Sequence, residues 1–371
     1  MTTNAAFAGD GGIRGEHIVA VREIILRGAM AGGRADNDLW RRRRLNDTAR
    51  RYAPVPGGDP MKQSILIPMM LAAVTALASG GPAVAATAAA AAEPATDLHE
   101  TVVQVPMTES GLFGSSQRNL VATTYMPDGN GPFPLIVLSH GNPPNAADRV
   151  KVGRYRKIAQ IREFVRMGFA VIVPIRRGYG ETGGTFAEDS GACKHPDFEN
   201  AGKHAAQDLL ATIRYAGSLP QIDRQHVILV GQSAGGFASL ATASFAPEGL
   251  VGVVNFSGGR GGRPSTHPGD PCGPDEMAAT IKHFAATTRV PVLWHYVEND
   301  QYFAPDVVRT WFDAFKAGGG QGDLIVEPPF GRDGHGMFAA NRAIPIWLPH
   351  FTRFVGSVVP GLPPTDGVTA H

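Results

Sequence analysis

Leu135–Leu138 (LIVL) and Ala170–Ile175 (AVIVPI) are apolar at every position rather than at every second one. A strand with one wet face alternates, whereas a strand without alternation is covered on both sides. Further strand candidates are Val102–Val105, Leu120–Tyr125, Val227–Val230, Val251–Phe256, Val292–Val297 and Leu324–Val326. Helical patterns fall between them, at about 152–167, 200–216, 234–246, 305–316 and 336–355. Strand and helix in alternation predict an α/β domain, a mostly parallel sheet with helices on both faces. No internal repeat is visible.

The pattern covers only residues 101–360. Met61-Lys62-Gln63 opens a short basic stretch, Ser64–Leu77 is apolar, and Ala83-Val84-Ala85 fits a signal-peptidase site. The apolar run falls short of the roughly 20 residues a membrane span needs. We therefore expect a signal peptide at 61–85, a secreted or periplasmic protein, and no stable membrane anchor. Residues 1–60 read as a disordered or mis-assigned N-terminal extension, 86–100 as a flexible lead-in and 361–371 as a tail.

The chain carries a net charge of +1, but 11 of its 34 basic and 7 of its 33 acidic residues lie in 1–85, which leaves −3 beyond it. Nothing there favours a nucleic-acid partner. Two cysteines exclude a four-Cys zinc site, and no H-E-x-x-H or other ligand spacing implies a metal; no cofactor is expected. The GxGxxG-like stretch Gly178–Gly183 departs from dinucleotide spacing and reads as a loop. The expected partner is a small molecule, on a monomer or small homo-oligomer.

In such sheets ligands bind beyond the carboxyl ends of the strands. Gly231-Gln232-Ser233-Ala234-Gly235 follows a buried strand and opens a small-residue helix, the context in which G-x-S-x-G carries a nucleophilic serine. A serine hydroxyl needs a base. His335 follows the last strand in a Gly-flanked loop, whereas His295 lies inside a strand, His204, His226 and His283 in or beside helices, and His267 in an insertion. The imidazole in turn needs a carboxylate to fix its tautomer. Asp300, just past Val292–Val297, is the candidate, with Glu298 and Asp306 as alternatives. Backbone N–H donors for an oxyanion are expected from Ala234 and from the loop after Leu138. Pro143 and Pro144 have no N–H, which leaves Asn142, favoured, or Gly141. His140 is expected to brace that loop.

SHGNPP, RRGYGETGG, GQSAGG, ENDQYF and DGHGMF occur in that order over about Thr101–Gly356. In this the chain resembles the α/β-hydrolases, in particular dienelactone-hydrolase-related and prolyl-oligopeptidase-like serine esterases. The resemblance implies an eight-stranded sheet and a Ser-Asp-His triad. Dienelactone hydrolases proper have a cysteine where Ser233 stands, so a dienelactone substrate is not implied. The prolyl-oligopeptidase side usually has a large N-terminal propeller, for which there is no room before Thr101.

The expected activity is a carboxylic-ester hydrolase working through an acyl-enzyme, with a peptidase or amidase on the same residues as the alternative. Two arginine pairs, Arg176/Arg177 and Arg260/Arg263, follow strands and are either solvated charges or a site for an acidic ester. Cys193 and Cys272 lie in two loops leaving the same sheet edge, and in an oxidising compartment they are expected to pair and pin a pocket wall. The alternative is two independent thiols.

Overall fold

The computed structural model describes residues 93–111 and 114–362. The chain divides into units 1–86 and 87–371, and all described residues lie in the second. The expected extension and signal peptide lie outside the described residues.

Eight strands form one sheet: β1 (Thr101–Gly111), β2 (Gly114–Tyr125), β3 (Phe133–Ser139), β4 (Ala170–Pro174), β5 (Ile222–Gln232), β6 (Leu250–Phe256), β7 (Val292–Val297) and β8 (Gly322–Glu327). Their order is β1-β2-β4-β3-β5-β6-β7-β8. Pairings β1/β2 and β2/β4 are antiparallel and the other five are parallel. This is the α/β-hydrolase fold.

Among the described residues six helices cover the sheet: α1 (Ile158–Arg166), α2 (Phe198–Ala216), α3 (Ala234–Ala243), α4 (Pro274–Ala285), α5 (Pro305–Ala317) and α6 (Ile344–Val358). Successive strand residues point to opposite faces, and each central strand supplies both. Leu135, Val137, Leu229, Val253 and Trp294 pack with α2, α3, α4 and α5. Ile136, Leu138, Ile228, Val230, Val254 and Leu293 pack with α1 and α6 on the other face. This double cover is why LIVL and AVIVPI show no alternation.

Three expectations are corrected. The lead-in is docked rather than flexible over 93–100: Thr96–Leu98 forms a 3₁₀ turn, Leu98 is buried, and Glu100 takes ion pairs from Arg154 and Arg156 at 2.9 and 2.6 Å. The last helix starts at Ile344, with Pro345 in its first turn, because residues 334–339 form a separate 3₁₀ turn. Helix α4, inside the Gly/Pro-rich insertion after β6, was not among the expected helices.

Candidate active site

β5 ends at Gln232 and α3 begins at Ala234, so Ser233 alone makes the turn, with φ 55° and ψ −125°. Such a backbone is strained for a residue with a Cβ and persists only where its surroundings enforce it. Here the Ser233 N–H donates to the Phe256 carbonyl at 3.0 Å, and the Ser233 carbonyl accepts from Phe237 and Gly259 at 3.1 and 3.2 Å. Flanking glycines allow the close approach. A Cβ on Gly231 would meet the Gly235 carbonyl, and one on Gly235 would meet the carbonyls of Ser139 and His140.

His335 sits in the 3₁₀ turn after β8, where Asp333 caps the turn by accepting the His335 N–H at 2.9 Å. Its Nδ1 lies 2.9 and 3.0 Å from the two carboxylate oxygens of Asp300. Asp300 is buried at 3% exposure, and its Oδ1 also accepts the N–H groups of Tyr302 and Phe303 at 2.8 and 3.1 Å. A carboxylate with this many donors stays in place and favours the tautomer with hydrogen on Nδ1. Glu298 and Asp306 are exposed, and neither bonds to His335. The loops after β7 and β8 are further joined by Gln301 N–H on Asp333 at 3.1 Å and Phe330 N–H on Asn299 Oδ1 at 2.9 Å.

Among the described residues no hydrogen bond joins Ser233 Oγ to the imidazole. The connection runs through its neighbour: Gln232 Nε2 donates to the His335 carbonyl at 3.1 Å, and Gln232 Oε1 accepts the hydroxyl of the half-buried Tyr155.

Gly141 lies against Ser233, since a Cβ there would come within 3.3 Å of the serine Cβ. The Asn142 side chain is held by Arg149 Nε and the Tyr179 hydroxyl on Oδ1, at 3.2 and 3.0 Å. The backbone N–H groups of Asn142 and Ala234 donate to no acceptor among the described residues, and both residues line a pocket of about 190 Å³ with Ser233. His140 is a brace: its Nδ1 faces the Gly141 carbonyl at 2.7 Å and its Nε2 accepts the Arg176 N–H at 3.1 Å. Burial and the adjacent Arg176 guanidinium push its pKa down to about 3, so the ring is neutral and its nitrogens are occupied.

The arginine pairs are mostly consumed by the protein itself. Arg176 is fully buried, donating to Ser139 Oγ and the His140 carbonyl at 2.7 and 2.6 Å and pairing with Glu188. Arg177 pairs with Asp208 at 2.6 Å and Glu109 at 3.0 Å. Arg263 pairs with Asp270 at 3.0 Å. Neither pair acts as a free fork, because carboxylates of the chain itself hold Arg176, Arg177 and Arg263. Only Arg260 of the four lines the pocket, and it too pairs with Glu188. Burial pushes the Glu188 carboxyl up, but Arg176 and Arg260 outweigh it and hold its pKa at about 2.

Cys193 and Cys272 form a disulfide with a Cα–Cα distance of 5.0 Å, joining the loop that carries Glu188 to the one that carries Arg260. The Cys272 N–H donates to the Gly261 carbonyl at 2.8 Å, which sets the bridge directly behind the pocket lining. The loop 178–183 is pinned by Thr182, whose hydroxyl donates to the Ile175 carbonyl at 2.7 Å and accepts the Val121 N–H at 2.9 Å. Among the described residues there is no group of three or more His, Cys, Asp or Glu placed to hold a metal ion, and no helix long and apolar enough to cross a membrane.

Gln232, Glu188, Asp333 and Tyr302 were not singled out in the sequence. Gln232, Tyr302 and Asp333 fall inside the GQSAGG, ENDQYF and DGHGMF motifs, whereas Glu188 lies in none of them.

The family described as Prolyl oligopeptidase family matches residues 156–254, a span from just before α1 to β6. Similar solved structures include an acetyl xylan esterase from Paenibacillus sp. R4, at 16% identity and a TM-score of 0.49 over 71% of this chain and 89% of that one. A puromycin-hydrolyzing peptidase of Mycobacterium tuberculosis matches at 19% identity and 0.47, over 70% of this chain and 40% of that one. A dienelactone hydrolase-like promiscuous phosphotriesterase from metagenomic libraries matches at 14% identity and 0.46, over 70% and 98%. The chain thus resembles the prolyl oligopeptidase family over residues 156–254.

Proposed function

We propose that the protein is a serine hydrolase that cleaves small carboxylic esters through an acyl-enzyme on Ser233. The observation that carries this reading is a serine held at a positive φ on the carboxyl edge of the sheet, one residue from the glutamine that bonds the loop of a buried His335–Asp300 pair. In this reading Ser233 Oγ attacks the ester carbonyl while its proton passes to His335 Nε2. Asp300 holds the Nδ1–H and offsets the imidazolium charge. The carbonyl oxygen becomes an oxyanion that accepts from the N–H groups of Ala234 and Asn142. His335 then protonates the departing alkoxide, and a water activated by the same imidazole cleaves the acyl-serine.

A pocket of about 190 Å³ favours a short acyl or alcohol group. The peptidase or amidase alternative draws on the match to the prolyl oligopeptidase family. Export belongs to the proposal as well, resting on residues 61–85. A fluorophosphonate probe tests the nucleophile: labelling should occur in the wild type and disappear in Ser233→Ala. Turnover of p-nitrophenyl acetate should exceed that of an aminoacyl-p-nitroanilide by at least about 100-fold; the reverse order would favour the peptidase.

A further inference from the structure

The Tyr302 ring lies on the His335 imidazole, with centroids 3.9 Å apart and planes inclined by 20°. Phe303 meets the same imidazole edge-on at 5.5 Å and 69°. The base is therefore covered by one aromatic face and closed by one aromatic edge. The backbone N–H of Tyr302 donates to Asp300 Oδ1 at 2.8 Å, so a single residue touches both the acid and the base. The loop after β6 backs the tyrosine, since a Cβ on Gly262 would come 2.5 Å from Tyr302 Cδ1 and 3.0 Å from its Cβ. Tyr302 and Gly262 both line the pocket with Ser233.

On the reading that His335 is the general base, we propose that Tyr302 is its positioning residue. Its ring fixes the plane of the imidazole toward Ser233 and stabilises the imidazolium that forms when the serine proton arrives. Flat contact at 3.9 Å restricts rotation about the His335 side chain, which the Asp300 bond alone leaves free to tilt. An aromatic face attracts a cation within about 6 Å of its centroid, an effect that strengthens where water is excluded. The charged groups around the imidazole are Asp300 on its Nδ1 and Asp333 on its backbone N–H. Both carboxylates are kept in every variant below. Burial and then the Asp333 and Asp300 carboxylates push the Tyr302 hydroxyl pKa up, so the phenol stays neutral and its removal changes no charge.

The test compares Tyr302→Phe, Tyr302→Leu and Gly262→Ala in p-nitrophenyl acetate hydrolysis over pH 5–9. Tyr302→Phe keeps the face and should stay within about twofold of wild type. Tyr302→Leu should lose about 10-fold or more in kcat with KM little changed, as a group acting only in the transition state requires. The acid limb of its pH–rate profile should move to lower pH by about half a unit, because the imidazolium loses a stabilising neighbour. Gly262→Ala displaces the ring without altering it and should change kcat and the acid limb in the same direction. It decides the matter if Tyr302→Leu does not fold. An unmoved acid limb in a folded Tyr302→Leu, or Tyr302→Phe as impaired as Tyr302→Leu, would overturn the proposal. Wild-type protein that neither reacts with the fluorophosphonate nor hydrolyses the ester would instead sink the esterase reading itself.

Discussion

At the scale of single residues, the acid position separates sharply. Asp300 is buried with both oxygens on His335 Nδ1, while Glu298, two residues earlier, is exposed. Asp300→Asn should lower kcat by about 10³-fold or more, because an amide can present its N–H to the imidazole and select the wrong tautomer. Glu298→Gln should leave kcat within about twofold. Steady-state kinetics on both variants check this, and an inactive Glu298→Gln beside an active Asp300→Asn would reverse the assignment. Ser233, Asp300 and His335 stood out as candidates because each lies in the turn or loop that follows a strand and the chemistry sought there admits few residue types. Tyr302 did not, since an aromatic five residues past the end of β7 has no signature until the loop after β8 folds onto it. Glu188 was equally hidden. It lies 12 and 72 positions from the arginines it neutralises, and sequence separation carries no information about such pairing.

Among the elements, the connections are harder to read than the strands. The parallel strands were found within a few residues because burial on two faces leaves an unbroken apolar run. β1 and β2 extend well beyond their apolar segments, as a hairpin pairing through Gly111 and Gly114 with exposed polar residues near its tip. Helix α4 had its signals, Pro274 at the start, acids in the first turn and Met277, Ile281 and Phe284 in register, but they follow a stretch dense in Gly and Pro. The loops after β4 and β6 meet on Glu188, and that meeting has a pH dependence. A carboxyl whose pKa is lowered on folding contributes stability that is complete above its ordinary value near 4.5 and lost as pH falls through about 2. The contribution is on the order of 3 kcal/mol. Urea midpoints measured from pH 5 to pH 2 should therefore fall more steeply for wild type than for Glu188→Gln. Glu188→Gln should also be less stable at pH 7, because two guanidiniums lose their counter-charge. Parallel pH curves for the two proteins would remove Glu188 from the acid response.

At the scale of the whole described domain, the loops after β3, β4, β6, β7 and β8 converge on one sheet edge, and the disulfide ties two of them across 79 positions. In the chain-entropy treatment a bridge closing a loop of that size stabilises by roughly 4–5 kcal/mol. Cys193→Ser/Cys272→Ser should lower the urea midpoint accordingly. It should also raise KM more than it lowers kcat, because Glu188 and Arg260 line the pocket whereas the Asp300–His335 pair hangs from other strands. Unchanged stability and KM in the double variant would leave the bridge without a part in ordering the pocket wall. The ion cluster behind that wall also divides the pocket for anyone wishing to redesign it. Exchanging Arg260 or Glu188 would strand a buried charge and disturb Ser139, His140 and the donor loop through Arg176. Pro144 and Ser190 line the same space, and among the described residues their side chains hold no part of that network. Directed evolution for a different substrate should accumulate accepted changes at such passive positions first, and reach the charged ones only in compensated pairs.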